Sequence, residues 1–273
     1  MEHMIALPHG TLAWEAAGPH DAAVTLVLVH GFPHDRGLWT AQLAAQAAVF
    51  PHARILVPDL PGLGRSTPLP DPSIDGYADA IAALLDHVGA QQAVIAGLSM
   101  GGYVAFAFWR RHAARVRALM LLDTRADADT DAVKEKRSAL ITRVQTDGVG
   151  AVVGGMLPDQ LGTTTRASQP ALVERIEVML RRAPASGVIG AALAMRDRID
   201  SRPTLETITV PTLVVVGAED TLTPPKDAQA IAAAIRGSRL VTIPDAGHLS
   251  PAEQPDVVNA AMAEFLDVAV TRG

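Results

Sequence analysis

Two rhythms of apolar residues alternate along the chain. Val24-Thr25-Leu26-Val27-Leu28-Val29 is a short, nearly continuous β-branched run, and Ala93–Ala96, Val116–Leu122 and Thr212–Gly217 repeat the pattern. Such runs suit strands buried on both faces of a sheet. Ile5–Leu7, Thr11–Glu15, Arg54–Pro58 and Arg239–Ile243 bring the predicted strands to eight. Between them the period lengthens to that of a helix. Leu38 to Val49 is predicted helical. A second helix starts at Ser73, which can cap it; Tyr77, Ile81, Leu84, Leu85 and Val88 share one face, and Gly89 stops it. Further helices are predicted from Ser99 to about Arg111, from near Pro224, and from near Pro255, the last burying Val258, Ala261, Met262, Phe265 and Leu266. Alternation of this kind predicts an α/β fold: a mostly parallel eight-stranded sheet with helices on both faces.

The alternation breaks between Arg125 and Thr207, where no strand pattern occurs. Val133, Leu140, Ile141 and Val144 fall on one helical face, Leu172, Val173, Ile176, Met179 and Leu180 on another, and Val188–Ile199 is a third helical stretch. Leu157-Pro158-Asp159 and Gly162-Thr163-Thr164 read as the loops between them. A stretch of this length is too long for a plain loop. The expected organisation is therefore a core of residues 1–124 and 208–273, with residues 125–207 as an all-helical cap, or lid, over the C-terminal edge of the strands.

Gly97-Leu98-Ser99-Met100-Gly101 stands at one strand-to-helix junction. The G-x-S-x-G spacing is that of a nucleophile elbow: a tight turn crowds the positions two before and two after the serine, and lifts its hydroxyl clear of the sheet. The following helix aims its N-terminal N–H groups at the same place. A serine there needs a base and an acid. His248 follows the last strand in a Gly-His turn, and Asp220 leaves the strand before it, so serine, acid and histidine come in the order such triads use. Asp123, which ends the strand after the elbow, is a second candidate acid. Asp245 lies too near His248 in sequence to orient it and reads as a structural cap. An acyl-transfer site also needs oxyanion donors; the backbone N–H groups of Met100, next to the serine, and of Phe32, in the His30-Gly31-Phe32-Pro33 turn, are the candidates. His30 reads as a brace for that turn.

Composition narrows the classes. The chain has 273 residues, a net charge of −6 and no cysteine. No basic block is present to hold nucleic acid through its phosphates. Thiolate nucleophiles, disulfides and cysteine-ligated metals are excluded. No apolar run is long enough to cross a bilayer, and the first eight residues lack the pattern of a secretory signal. A cytoplasmic protein is the expectation.

These motifs together resemble the α/β-hydrolase superfamily almost end to end. The resemblance rests on His30-Gly31-Phe32-Pro33, Asp59-Leu60-Pro61-Gly62-Leu63-Gly64-Arg65-Ser66, Gly97-Leu98-Ser99-Met100-Gly101-Gly102, Gly217-Ala218-Glu219-Asp220 and Gly247-His248. Within the superfamily the chain is similar to the carboxylesterase and 3-oxoadipate enol-lactonase-like branch with a helical cap. The resemblance implies a serine hydrolase of small esters or lactones, with no metal or organic cofactor. Dehalogenases and epoxide hydrolases carry an aspartate at the elbow and are excluded by Ser99. The loop at Phe32 lacks the glycine run common in long-chain lipases. Perhydrolase chemistry, a cofactor-free lyase or oxygenase, and a slow-turnover receptor are alternatives on the same fold. Oligomeric state is not readable.

Candidate pocket walls are Met156, Leu157, Leu161, Met179 and Met195 from the cap, with Trp39 and Leu249 from the core; most of the cap residues read as cap core. Arg125 either holds a substrate carboxylate or forms a hinge salt bridge to a neighbouring carboxylate of the cap.

Overall fold

The computed structural model describes residues 2–271, with side chains described as far as residue 267. Two antiparallel strands, β1 (Glu2–Leu7) and β2 (Gly10–Ala17), lead into β3 (Val24–Val29). A 3-10 turn (Arg36–Trp39), capped by the Asp35 carboxylate on the Gly37 N–H, opens helix α1 (Thr40–Val49). Strand β4 (Ala53–Pro58), helix α2 (Ile74–His87), strand β5 (Ala93–Leu98), helix α3 (Met100–His112) and strand β6 (Val116–Leu122) follow. The cap on α2 is Ser73, which accepts from the Gly76 N–H.

Six consecutive helices then interrupt the sheet: α4 (Asp131–Asp147), α5 (Gly150–Gln160), α6 (Thr163–Ser168), α7 (Pro170–Arg182), α8 (Ala185–Arg196) and α9 (Arg202–Leu205). Strand β7 (Thr212–Gly217), helix α10 (Pro225–Ala234), strand β8 (Arg239–Ile243) and helices α11 (Ser250–Glu253) and α12 (Pro255–Thr271) complete the chain. The insertion holds more helix than the pattern predicts. Leu157-Pro158-Asp159 lies inside α5, and α6 begins at Thr163, within the predicted loop. Pro158 falls in the last turn of α5 and withholds the N–H that would otherwise donate to the Gly154 carbonyl.

The strands form one sheet in the order β1-β2-β4-β3-β5-β6-β7-β8. Only the β1–β2 and β2–β4 pairings are antiparallel. Parallel register sets Val29 beside Gly97, Leu98 beside Leu122, Leu122 beside Val215, and Gly217 beside Ile243. The carboxyl ends of five strands therefore align, and the loops that leave them converge. β4, β5 and β7 are buried at every position. That is why their sequences run apolar without alternation. One face of the sheet packs on α2 and α3 and the other on α1 and α12.

Several contacts fasten the insertion to the core, among them the ion pair of Arg182 with Asp35 at 2.7 Å. Glu219 accepts from the Thr164 N–H at 2.9 Å and from its hydroxyl at 2.5 Å. Glu253 accepts from the Gly162 N–H at 2.8 Å. Gly187 on α8 lies so close to the Gly62 loop that a Cβ there would come within 1.8 Å of the Gly62 carbonyl oxygen. At the return to the core, the Trp109 indole N–H donates to the Thr207 hydroxyl at 3.0 Å. Among the described residues no helix is long and apolar enough to cross a membrane.

Candidate active site

Ser99 sits between β5 and α3 with φ +55°, a left-handed conformation that a non-glycine residue adopts at a cost. Its N–H is held by the Leu122 carbonyl, and its own carbonyl accepts from the Thr124 hydroxyl at 2.7 Å. The glycines around it leave no room for side chains. A Cβ on Gly97 would meet the Gly101 carbonyl oxygen at 2.1 Å, and one on Gly101 the Val29 carbonyl oxygen at 2.3 Å. The turn is thus packed between two strands and its own helix, which is what the G-x-S-x-G spacing requires.

The structure brings Ser99, His248 and Asp220 together. Ser99 Oγ lies 2.8 Å from His248 Nε2, and His248 Nδ1 lies 2.8 Å from Asp220 Oδ2. A neutral imidazole with its proton on Nδ1 donates to Asp220 and leaves Nε2 free to accept from the serine hydroxyl. Asp220 also accepts from the N–H groups of Leu222 and Thr223 on Oδ1, and from the Thr223 hydroxyl on Oδ2 at 2.6 Å. Burial alone would raise its pKa. The adjacent His248 and the Thr223 donors outweigh burial and hold the carboxyl below its ordinary value. Thr223 Oγ1 also lies 3.1 Å from His248 Nδ1. Sequence reading missed this residue; its signal is a hydroxyl three positions after the acid, the spacing at which a carboxylate and a backbone turn cap one another.

Asp123 occupies a different place. It is fully buried and accepts from the Gly217 N–H at 2.8 Å and the Ser250 hydroxyl at 2.6 Å. Burial, and the nearby Asp220 charge, push its pKa well up. It joins β7 to the histidine loop and makes no hydrogen bond to the imidazole. Glu253 supports the same loop, with one oxygen accepting from the Gly247 and Leu249 N–H groups, both at 3.0 Å. Asp245 is exposed in the turn before Gly247, at φ +54°, and its backbone carbonyl accepts from Gln254.

In the Phe32 turn, His30 Nδ1 donates to the Gly31 carbonyl and His30 Nε2 accepts from the Leu60 N–H, each at 2.9 Å. Burial lowers its pKa and keeps the ring neutral. Phe32 lines the cleft above Ser99, and Gln160 of the insertion donates to its carbonyl at 3.4 Å. Met100 is fully buried at the start of α3.

A cleft of about 580 Å³ opens over Ser99 and His248. Tyr103, Leu140, Met156 and Met195 give it apolar walls, and Gln160 a polar one. Of the expected walls, Met156 and Met195 face it. Trp39 and Leu249 do not; both are fully buried in the apolar cluster that α12 shares with the sheet. Met179, Leu161 and Leu157 pack into that same core. Periodicity shows that a face is apolar but not what it packs on. Arg125 lines the cleft, yet its guanidinium is held by the Leu222 carbonyl and by Asp227 of α10, the latter at 3.2 Å. That is the salt bridge of the two expectations for this residue, with a partner in the core rather than in the insertion. Lys136 and Arg137 of α4 line the cleft too, a position not foreseen from sequence. Among the described residues no group of three or more histidines, aspartates or glutamates is placed to hold a metal ion.

Residues 24–255 match the family model described as the alpha/beta hydrolase fold. A thermophilic esterase from Thermogutta terrifontis superposes with a TM-score of 0.92 at 40% identity, over 98% of this chain and 99% of that one. The enol-lactonase from Burkholderia xenovorans superposes with a TM-score of 0.89 at 27% identity, over 97% of this chain and all of its own. The pimeloyl-[acyl-carrier protein] methyl ester esterase of Neisseria meningitidis serogroup C is 29% identical over 257 residues, covering 90% of this chain and 95% of that protein.

Proposed function

The chain belongs to the alpha/beta hydrolase fold family, and from that premise we propose that it is a serine hydrolase of small carboxylic esters or lactones. The observation that carries the proposal is the unbroken hydrogen-bond line Ser99–His248–Asp220, with both links at 2.8 Å. The esterases and enol-lactonase it is similar to support the same class.

In the proposed reaction Ser99 Oγ bonds to the substrate carbonyl carbon while its proton passes to His248 Nε2. Asp220 fixes the tautomer and stabilises the imidazolium. The Phe32 and Met100 N–H groups take the oxyanion. As the tetrahedral centre collapses, the C–O bond to the alcohol breaks and the alcohol leaves with the proton from Nε2. Water then repeats the sequence on the acyl-enzyme, releasing the acid and restoring Ser99. In a lactone the alcohol stays tethered to the acyl group until hydrolysis frees the hydroxy acid. Residues 125–207 act as the cap, supplying the cleft wall at Leu140, Met156 and Met195. A cleft of this volume takes small substrates.

The test is hydrolysis of 4-nitrophenyl esters from acetate to octanoate, with a lactone panel beside it, by the wild type and by Ser99→Ala. Turnover that favours short chains and disappears in the variant is the expected result. Full activity in Ser99→Ala would overturn the proposal.

A further inference from the structure

The cleft has a charged end that the triad does not use. α4 contributes Val133, Lys136, Arg137 and Leu140 to its lining. Their spacing is i, i+3, i+4, i+7, a single helical face. The middle of a face turned toward a substrate cleft is therefore cationic, between two apolar residues.

Arg137 is built into place. It pairs with Asp129, whose side chain is only 3% exposed. Arg198 binds the same carboxylate at 2.5 Å. It also donates to the carbonyls of Met195 and Asp127 at 2.8 and 2.7 Å, and lies over the Tyr103 ring at 4.1 Å. Two guanidiniums thus share one buried carboxylate. Arginine keeps its proton in a protein, so the cluster carries one positive charge that Asp129 does not neutralise. Lys136, beside it on the cleft face, makes no ion pair among the described residues. The one other acid on the lining is Asp159, exposed on α5. Arg125 is spent on Asp227.

We infer that the cleft selects esters whose acyl chain ends in a carboxylate, received by Lys136 and Arg137. This rests on the ester-hydrolase reading above. The guanidinium offers a planar fork matched to a carboxylate, and the ammonium a mobile point charge. Recognition on the acyl side serves both half-reactions, because the acyl group stays bound after the alcohol has left.

The experiment compares kcat/KM for mono(4-nitrophenyl) adipate with that for 4-nitrophenyl hexanoate, two esters of equal acyl length. In the wild type at low salt the adipate ester is favoured by about tenfold or more, a difference that shrinks as ionic strength rises. Lys136→Glu lowers the adipate-to-hexanoate ratio at least tenfold, mainly through KM, and Lys136→Arg retains it. Lys136 lies on the cleft face outside the buried core, so its variants fold, which a thermal melt verifies. A wild-type ratio at or below one, or a ratio that Lys136→Glu leaves unmoved, overturns the inference while hexanoate turnover keeps the hydrolase reading standing. Hydrolysis of neither ester removes the hydrolase reading, and this one with it.

Discussion

Asp123 and Asp220 leave the ends of adjacent parallel strands, and only Asp220 reaches the histidine: its Oδ2 lies 2.8 Å from His248 Nδ1, whereas Asp123 is occupied by Gly217 and Ser250. Two acids equivalent by position along the sheet edge thus have separate tasks. Replacing Asp220 by Asn takes away the acceptor that fixes the tautomer, and kcat for an ester substrate falls by about 10⁴-fold. Asp123→Asn keeps a neutral group where burial already favours one, and costs less than about tenfold. Steady-state kinetics on the two variants decides between the acids; equal losses would refute the division.

The glycines divide as sharply. Gly101→Ala drives a Cβ to 2.3 Å from the Val29 carbonyl oxygen, inside the packing of β3. Overpacking of this kind destabilises by about 3 kcal/mol. Gly154 lies in α5, and an alanine methyl there would meet nothing within 4 Å. Gly154→Ala adds about 0.5–1 kcal/mol by restricting the unfolded chain and favouring the helix. Urea midpoints of the two variants should move in opposite directions.

His34 is buried, and burial together with the neighbouring His30 lowers its pKa to about 3. An unfolded histidine titrates near 6.5. Between those values the unfolded state binds the extra proton, so the stability present above pH 6.5 is lost as the pH falls toward 3. From pH 7 to pH 5 this single group removes about 2 kcal/mol. Denaturation of wild type and His34→Leu at both pH values isolates it, because the variant's loss is smaller by that amount. Equal losses would exclude His34 as a source of acid sensitivity.

Glu253 gathers the N–H groups of Gly162, Gly247 and Leu249 around one buried carboxylate. In Glu253→Gln an amide N–H₂ must face one of these donors, leaving it unsatisfied at a cost of about 2 kcal/mol. Since Gly247 and Leu249 flank His248, kcat falls together with the melting temperature. Unchanged turnover in a destabilised variant would show that the histidine loop holds itself.

Much of this is legible in the residues alone. Apolar runs mark the inner strands, because β5 and β7 are buried at every position, while the edge strands β1 and β8 are mostly exposed or half-buried and show only as short runs between turns. The order of Ser99, Asp220 and His248 follows from strand ends that a parallel sheet must align. Other features lie beyond local pattern. Trp39 and Leu249 are apolar residues near the loops that carry Phe32 and His248, and whether such a side chain turns to the cleft or to the core depends on a distant partner surface. The third neighbour of the imidazole, Thr223, is an ordinary helix-entry hydroxyl until the fold brings β7 and β8 together. Helix α6 is hidden by glycine and threonine, residues that read as loop. Lys136 and Arg137 look like a solvated pair until Val133 and Leu140 beside them are seen to face the same cleft.

The tryptophans carry a practical consequence. Trp14, Trp39 and Trp109 are all buried, in β2, in the turn before α1 and in α3, and the six inserted helices contain none. Intrinsic fluorescence is therefore a signal of the sheet and its flanking helices. Trp109 touches the boundary through its hydrogen bond to Thr207, and Trp39 shares its apolar cluster with Met179 and Leu180 of α7. If the inserted helices came away as a unit, Trp39 and Trp109 would both lose surroundings and their emission would shift. A tryptophan placed at exposed Val178 on α7, in a background lacking Trp109, would give the insertion an optical reporter of its own, and the two melts could be recorded side by side.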